Sequence, residues 1–333
     1  MPFDPDSAGD QLRKLALAGV HIGTSSWKYP GWIGQLYSEE RYRYRGRLSQ
    51  TRFERQCLSE YARTFTTVGV DASYYRFPED HFLADLASQA PEDFRFSFKV
   101  TDEITVKRFT RLPRFGDRAG QPNANFLNAD LFASAFLAPL EPYRSKVGVL
   151  MFEFSRFYPT DFARGREFAE ALETFLSKLP GGWRYGVEIR NAAFLHPDYF
   201  AMLGRHGVAH VFNSWESMPS LPEQLALPGA FASPDHTVAR LLLRPGRSYD
   251  EAVTRFQPYD RIQDPYPEGR AAVAQLLGRI AKRDGGVPRV VFVYVNNRFE
   301  GNALQSIAAL LGVIDPGGSA SLPHLPQGQP DPT

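Results

Sequence analysis

Eight short runs of β-branched and aromatic residues recur along the chain, each apolar almost throughout. They are VHIGTSS (20–26), FTTVGVD (65–71), FRFSFKV (94–100), KVGVLMFEF (146–154), RYGVEIR (184–190), GVAHVFN (207–213), TVARLLLR (237–244) and RVVFVYVNN (289–297). Near-continuous hydrophobicity marks strands covered on both faces, as in a parallel sheet. The stretches between them carry helical spacing. In 53–65, Phe53, Cys57, Leu58, Tyr61 and Phe65 fall on one stripe, and 80–89, 128–140, 160–179, 269–283 and 302–313 behave alike. Thr160 is read as a helix cap, and 196–207 has Pro in its first turn and Gly at its end. The segment MPSLPEQLALPG after the sixth run, with three prolines, gives no clear helical signal.

Eight strand-then-helix units predict an α/β fold, a single (β/α)8 barrel of TIM type with eight parallel strands over residues 20–313. An N-terminal extension (1–19) precedes it, and a Pro-, Gly-, Ser- and Gln-rich tail (314–333) is expected to be disordered. A doubly wound sheet is disfavoured because no glycine fingerprint follows the first strand. Two long excursions, 33–49 and 101–126, follow strands and should therefore lie over the C-terminal mouth, where barrels bind their ligands.

Composition narrows the function classes. The 333 residues include 38 Lys+Arg against 37 Asp+Glu, a net charge of +1, which disfavours a globally basic nucleic-acid binder and an acidic disordered chain. A single cysteine, Cys57, excludes an internal disulfide framework and multi-cysteine metal sites. The N-terminus has acids where a signal peptide carries bases, and no stretch approaches the ~18 apolar residues that span a bilayer. The expectation is a cytoplasmic protein of enzyme size with no membrane partner. Among the bases, 31 are Arg and 7 are Lys. Coding bias accounts for such an excess, and so does an anionic ligand, because Arg binds carboxylate and phosphate bidentately.

The strand ends carry an ordered set of motifs: HIGTSSWKYPGW with Tyr37, FTTVGVDASYYRFP, FRFSFKVTDEIT, VGVLMFEFSRF, YGVEIRN and VYVNNRFEGNAL. Together they resemble the YecE-like family, domain of unknown function 72, over roughly residues 20–313. The resemblance implies a barrel similar to those of the xylose isomerase and endonuclease IV type, and no assigned reaction. The chain departs from the commoner family pattern at Gly69 and Asp71, where Glu and Asn are frequent. It departs again at Glu153-Phe154-Ser155-Arg156, in place of Gln-Phe-Pro-Pro, and at Pro245-Gly246, in place of His-Gly. If the family shares a chemistry, those departures imply a variant of it or a partial loss of it.

Reacting groups of a barrel project from strand C-termini. There stand Asp71, Lys99, Glu153 and Glu188, the candidate catalytic residues. Three carboxylates on three strands suit general acid–base work if their surroundings push their pKa values apart. Lys99 is a base or nucleophile in a dry mouth, or a charged partner beside Glu153. Candidate substrate-binding residues are Arg190 and Arg244 for an anion, with Arg240 the alternative to Arg244. Asn213, Asn296 and Asn297 supply hydrogen bonds. Trp27, Tyr29, Tyr74, Tyr75, Arg76 and Trp215 supply stacking and contact surfaces; Trp32 reads as packing.

In RYRYRGR, Arg41, Arg43, Arg45 and Arg47 would share one side of an extended loop and the tyrosines the other, a pattern able to grip phosphates and stack bases. Lys107, Arg108, Arg111, Arg114 and Arg118 add a second basic run. The histidines include no HExxH, so no metal site is assigned, and an all-carboxylate Mg²⁺ or Mn²⁺ site is the weaker alternative. No P-loop or GxSxG appears. The reading is a cofactor-independent enzyme, a hydrolase or lyase, acting on an anionic or sugar-containing small molecule. The alternatives are a nucleic-acid-binding protein or nuclease using loops 41–47 and 107–118, and a non-catalytic metabolite binder.

Overall fold

A computed structural model describes residues 3–281 and 289–314. The expected tail from Asp315 onward and the end of the 269–283 helix lie outside the described residues. Eight strands form a closed, all-parallel barrel: β1 (Val20–Thr24), β2 (Thr67–Val70), β3 (Arg95–Lys99), β4 (Val147–Phe154), β5 (Tyr185–Ile189), β6 (Ala209–Ser214), β7 (His236–Leu241) and β8 (Val290–Val295). Each strand pairs with its neighbours in sequence. β8 closes on β1 from Val20↔Val291 to Thr24↔Val295, and Thr24↔Val68 joins β1 to β2. All eight predicted runs are therefore barrel strands.

The continuous hydrophobicity has a simple cause. On β8, Val291, Val293 and Val295 pack outward under the helices, while Phe292 and Tyr294 point into the barrel. The lower interior is apolar, with Val149, Met151, Val211 and Val238 around Phe292. Gly148 makes room for that ring: a Cβ there would sit 2.9 Å from Phe292 and 2.7 Å from Ser97 Oγ. Above it the Tyr294 hydroxyl donates to Ser97 Oγ at 2.6 Å and meets the Thr67 hydroxyl at 2.9 Å. The interior thus turns polar toward the C-terminal end.

The helices follow their spacing with instructive exceptions. Pro5–Leu17, capped by the Asp4 carboxylate, packs against β1 and the helix Gln50–Thr64. Thr160 caps nothing, because the helix starts at Gly165. Residues 158–162 form a turn in which Asp161 accepts the Tyr158 backbone N–H, and Phe162 enters a cluster with Phe157 and Phe168. The 128–140 segment is π-helical over Phe132–Leu137 and 3-10 over Ala138–Lys146, where Pro142 cannot supply an intrahelical donor. The three-proline segment holds a short helix, Leu221–Ala226, started by a Ser220/Glu223 capping box. Tyr249–Phe256 is a further helix that the spacing did not single out.

Candidate functional site

The upper barrel layer is charged. Glu153 of β4 and Glu188 of β5 are register partners, so two carboxylates stand side by side in the buried interior. Like charges placed so close are tolerable only with cations between them. Arg190, two residues beyond Glu188 on the same face, donates to Glu188 at 2.6 and 2.8 Å and to Glu153 at 3.0 Å. From β7, Arg240 reaches Glu188 at 2.7 Å, Glu153 at 3.3 Å and Asp71 at 3.4 Å. Lys99 closes the set at 2.6 Å from Glu153, its ammonium 3.6 Å from the centre of the Tyr74 ring. Three carboxylates and three cations form one network.

The electrostatics follow from that geometry. Burial alone would raise the Glu153 pKa, but Arg190, Lys99 and Arg240 outweigh it and hold the carboxyl well below the usual range. Burial would likewise lower Arg240, and Glu188, Asp71 and Glu153 more than reverse this. Glu153 is thus a fixed anion. Asp71 opens a 3-10 turn, Asp71–Tyr74, at the end of β2, and its side chain keeps 33% exposure. It is the carboxylate of the three that faces open space.

The remaining candidates separate into groups. Trp215 lies over Arg190, 3.5 Å from guanidinium carbon to ring centre. Tyr74 is buried and Tyr75 is 63% exposed, meeting it edge-on. Tyr29 packs on Trp32 and Tyr259, and burial pushes its hydroxyl up to about 12 against the opposing influence of Arg298. Asn213 donates to the carbonyls of Ile189 and Val211 inside the barrel. Asn297 accepts from Trp32 Nε1 and the Ala303 N–H, so its oxygen serves the loop. Asn296 accepts the Arg298 N–H and leaves Nδ2 buried without a protein partner, as are Trp27 Nε1 and Ser25 Oγ. Arg76 is exposed and makes no described ion pair or hydrogen bond.

Arg244 does not join the network. β7 ends at Leu241, and Arg244 lies beyond it, 44% exposed, 3.6 Å from Asp264 and over the Tyr266 ring. Arg240 holds the interior position; strict alternation cannot choose between the two when the strand's end is unknown. The half-buried Arg298 carries its guanidinium 4.6 Å from the Tyr249 ring, and the sequence reading passed over both residues. An arginine in NNRFE and a tyrosine in RSYDE have no distinguishing pattern of their own.

The alternating reading of RYRYRGR is also corrected. Glu39–Tyr42 is a helical turn, Arg43–Tyr44 and Arg47–Leu48 form a hairpin, and Arg45 at its tip has φ +51°. Tyr42 is buried against Tyr37 and Phe53 while Tyr44 is exposed, so the tyrosines share no platform. Arg41 bonds Ser59 and Arg43 pairs with Glu39. Of the second run, Lys107, Arg108, Arg111 and Arg114 line a groove of about 780 Å³ between residues 105–120 and 155–161, walled by Tyr74, Phe109, Phe115 and Phe157, while Arg118 pairs with Glu103.

Among the described residues no group of three or more His, Cys, Asp or Glu is placed to hold a metal ion; the three mouth carboxylates are instead engaged by cations. Cys57 is buried in the core, and burial pushes its thiol up to about 12. No described helix is long and apolar enough to cross a membrane.

Comparisons with known proteins agree with this architecture. The UPF0759 protein YecE of Escherichia coli (strain K12) is 28% identical over 182 residues, 55% of this chain and 50% of that protein. The chain thus spans about half the length of the curated relatives it matches. Crystal structures of DUF72 family proteins from Enterococcus faecalis V583 and Thermotoga maritima MSB8 share its fold. Their TM-scores are 0.60 and 0.56, at 16% and 19% identity, covering 94% and 87% of this chain and 100% and 97% of theirs. A family model described as "Protein of unknown function DUF72" matches residues 21–330, nearly the whole barrel, and the chain therefore belongs to the DUF72 family.

Proposed function

We propose that the barrel mouth is the active site of an enzyme that needs no tightly bound cofactor and acts on an anionic or sugar-containing small molecule, with Asp71 as the proton acceptor. One observation carries the reading: Asp71 alone among the mouth carboxylates combines solvent access with a single cation contact, Arg240 at 3.4 Å. Glu153 and Glu188, ringed by Lys99, Arg190 and Arg240, serve to fix Arg240, and Arg240 orients Asp71. Tyr29, Tyr75, Trp215 and Tyr249 offer ring surfaces at the same end, and Arg298 adds a cation with no described carboxylate in ion-pair range. Such a set can hold a polar ring while a base works on it.

The test is proton exchange in D₂O against a panel of sugar phosphates and sugar acids, followed by NMR. The parent protein is expected to exchange or consume one member, and Asp71→Asn to slow this by about 10²–10⁴-fold, the usual worth of a positioned base. An Asp71→Asn protein as active as its parent would move the chemistry elsewhere. Binding without exchange would favour the metabolite-binding alternative. The nucleic-acid alternative draws its support from the second basic run and predicts DNA binding that weakens steeply with salt.

A further inference from the structure

Beside the mouth, the groove between residues 105–120 and 155–161 carries an unbalanced charge. Of its neighbouring carboxylates, Asp102 pairs with Arg114 at 2.5 Å and Glu103 with Arg118, Asp161 accepts the Tyr158 backbone N–H at 3.0 Å, and the exposed Asp117 makes no described ion pair. Arg108 reaches only the Gly120 carbonyl, at 2.9 Å, and neither Arg111 nor Arg156 has a described carboxylate within 4.0 Å. Three guanidiniums therefore face one open volume of about 780 Å³, within the range of small-molecule sites. The walls add flat apolar surface. Phe157 is buried beneath, Tyr158 is 59% exposed, and the Arg156 guanidinium lies 5.7 Å from the Tyr158 ring. Unpaired Arg beside exposed aromatic surface matches a ligand that is anionic at one point and flat at another.

We propose that this groove binds a nucleotide-class ligand, with the phosphate on Arg111 and Arg156 and the base against Tyr158. Tyr74 places the groove relative to the mouth. Its ring lines the groove and also carries the Lys99 ammonium, so a ligand seated there extends past Tyr74 toward Asp71. The placement of the reactive end rests on the proposed role of the mouth; groove binding is measured without turnover and stands or falls separately.

Isothermal titration at low salt with AMP, ribose 5-phosphate and a short oligothymidylate tests the proposal. AMP is expected to bind, the Arg111→Ala/Arg156→Ala double variant to bind it at least tenfold more weakly, and Tyr158→Ala to erase its advantage over ribose 5-phosphate. All three side chains are exposed, and an unchanged melting temperature confirms folding. Asp71→Asn should retain AMP affinity within twofold. No AMP binding, AMP binding indifferent to the double variant, ribose 5-phosphate bound as tightly as AMP, or the oligonucleotide bound without AMP would each overturn the proposal. Full turnover by Asp71→Asn would instead overturn the role of the mouth and leave the groove intact.

Discussion

Two clusters of positive charge meet at Tyr74, and they are built in opposite ways. In the mouth, Lys99, Arg190 and Arg240 are nearly buried, and each lies within 3.0 Å of at least one carboxylate. In the groove, Arg108, Arg111 and Arg156 are exposed and have no described carboxylate partner. Desolvation explains the difference. A buried charge costs several kcal/mol unless it is paired, so the mouth must satisfy itself before any ligand arrives. An exposed guanidinium stays hydrated and remains available for a ligand. A dense charge cluster is therefore not automatically a binding site. The saturated one fixes geometry, and the unsaturated one next to it has capacity to spare.

The sharpest way to break this comparison is Glu188→Gln. It leaves the buried Arg190 and Arg240 to share Glu153, with Asp71 at 3.4 Å as the second carboxylate of Arg240 only, and a buried pair deprived of one member typically loses about 3–5 kcal/mol. Urea unfolding should show that loss. A change under about 1 kcal/mol would mean that the cluster is not structural and would return Glu188 to the list of working residues.

Acid sharpens the comparison next. His210, buried among Tyr199, Phe200 and Phe212, has its pKa lowered by burial from 6.5 to about 4. The unfolded chain binds a proton there near pH 6.5 that the folded protein refuses until about pH 4, so stability falls as pH drops through that window. At 1.36 kcal/mol per unit the loss approaches about 3 kcal/mol. Glu153 adds a further loss below its ordinary pKa of 4.5, since its folded pKa is lower still. Burial lowers His21 and His236 to about 4 as well, so His210→Phe should reduce the decline between pH 6.5 and 4 without abolishing it, whereas groove variants should leave its slope unchanged. A slope indifferent to His210 would place the acid-sensitive groups elsewhere.

The barrel was legible because its two-sided strands carry an uninterrupted apolar signal, and Glu188 with Arg190 was legible because alternation puts them on one face. That Lys99 would meet Glu153 was among the sequence alternatives. The choice between Arg240 and Arg244 was not legible, since one turn of irregular chain after Leu241 reverses which of them points inward. The hairpin at 43–48 replaced an extended loop because Arg45 and Gly46 both adopt positive φ, a local turn that the alternating pattern conceals. The groove was half legible. Its basic run is plain in the sequence, but Arg156 and Tyr158 come from a loop about forty residues later, and nothing local announces that the two loops face each other.

The smallest effect is also the most discriminating. Arg156→Ala removes an exposed cation with no described ion pair, so it should change stability by no more than about 0.5 kcal/mol, as surface substitutions usually do. The sign is informative. Arg108, Arg111 and Arg156 line one groove and none has a described carboxylate in ion-pair range, so they repel one another, and relieving that repulsion should make the variant equal to or slightly more stable than its parent at low salt. Salt should erase the difference, because exposed charges separated by more than about 10 Å are screened at 0.1 M. A loss above 1 kcal/mol would show that Arg156 holds the loop after β4 in place, in which case the groove's charge belongs to the fold, as the mouth's does.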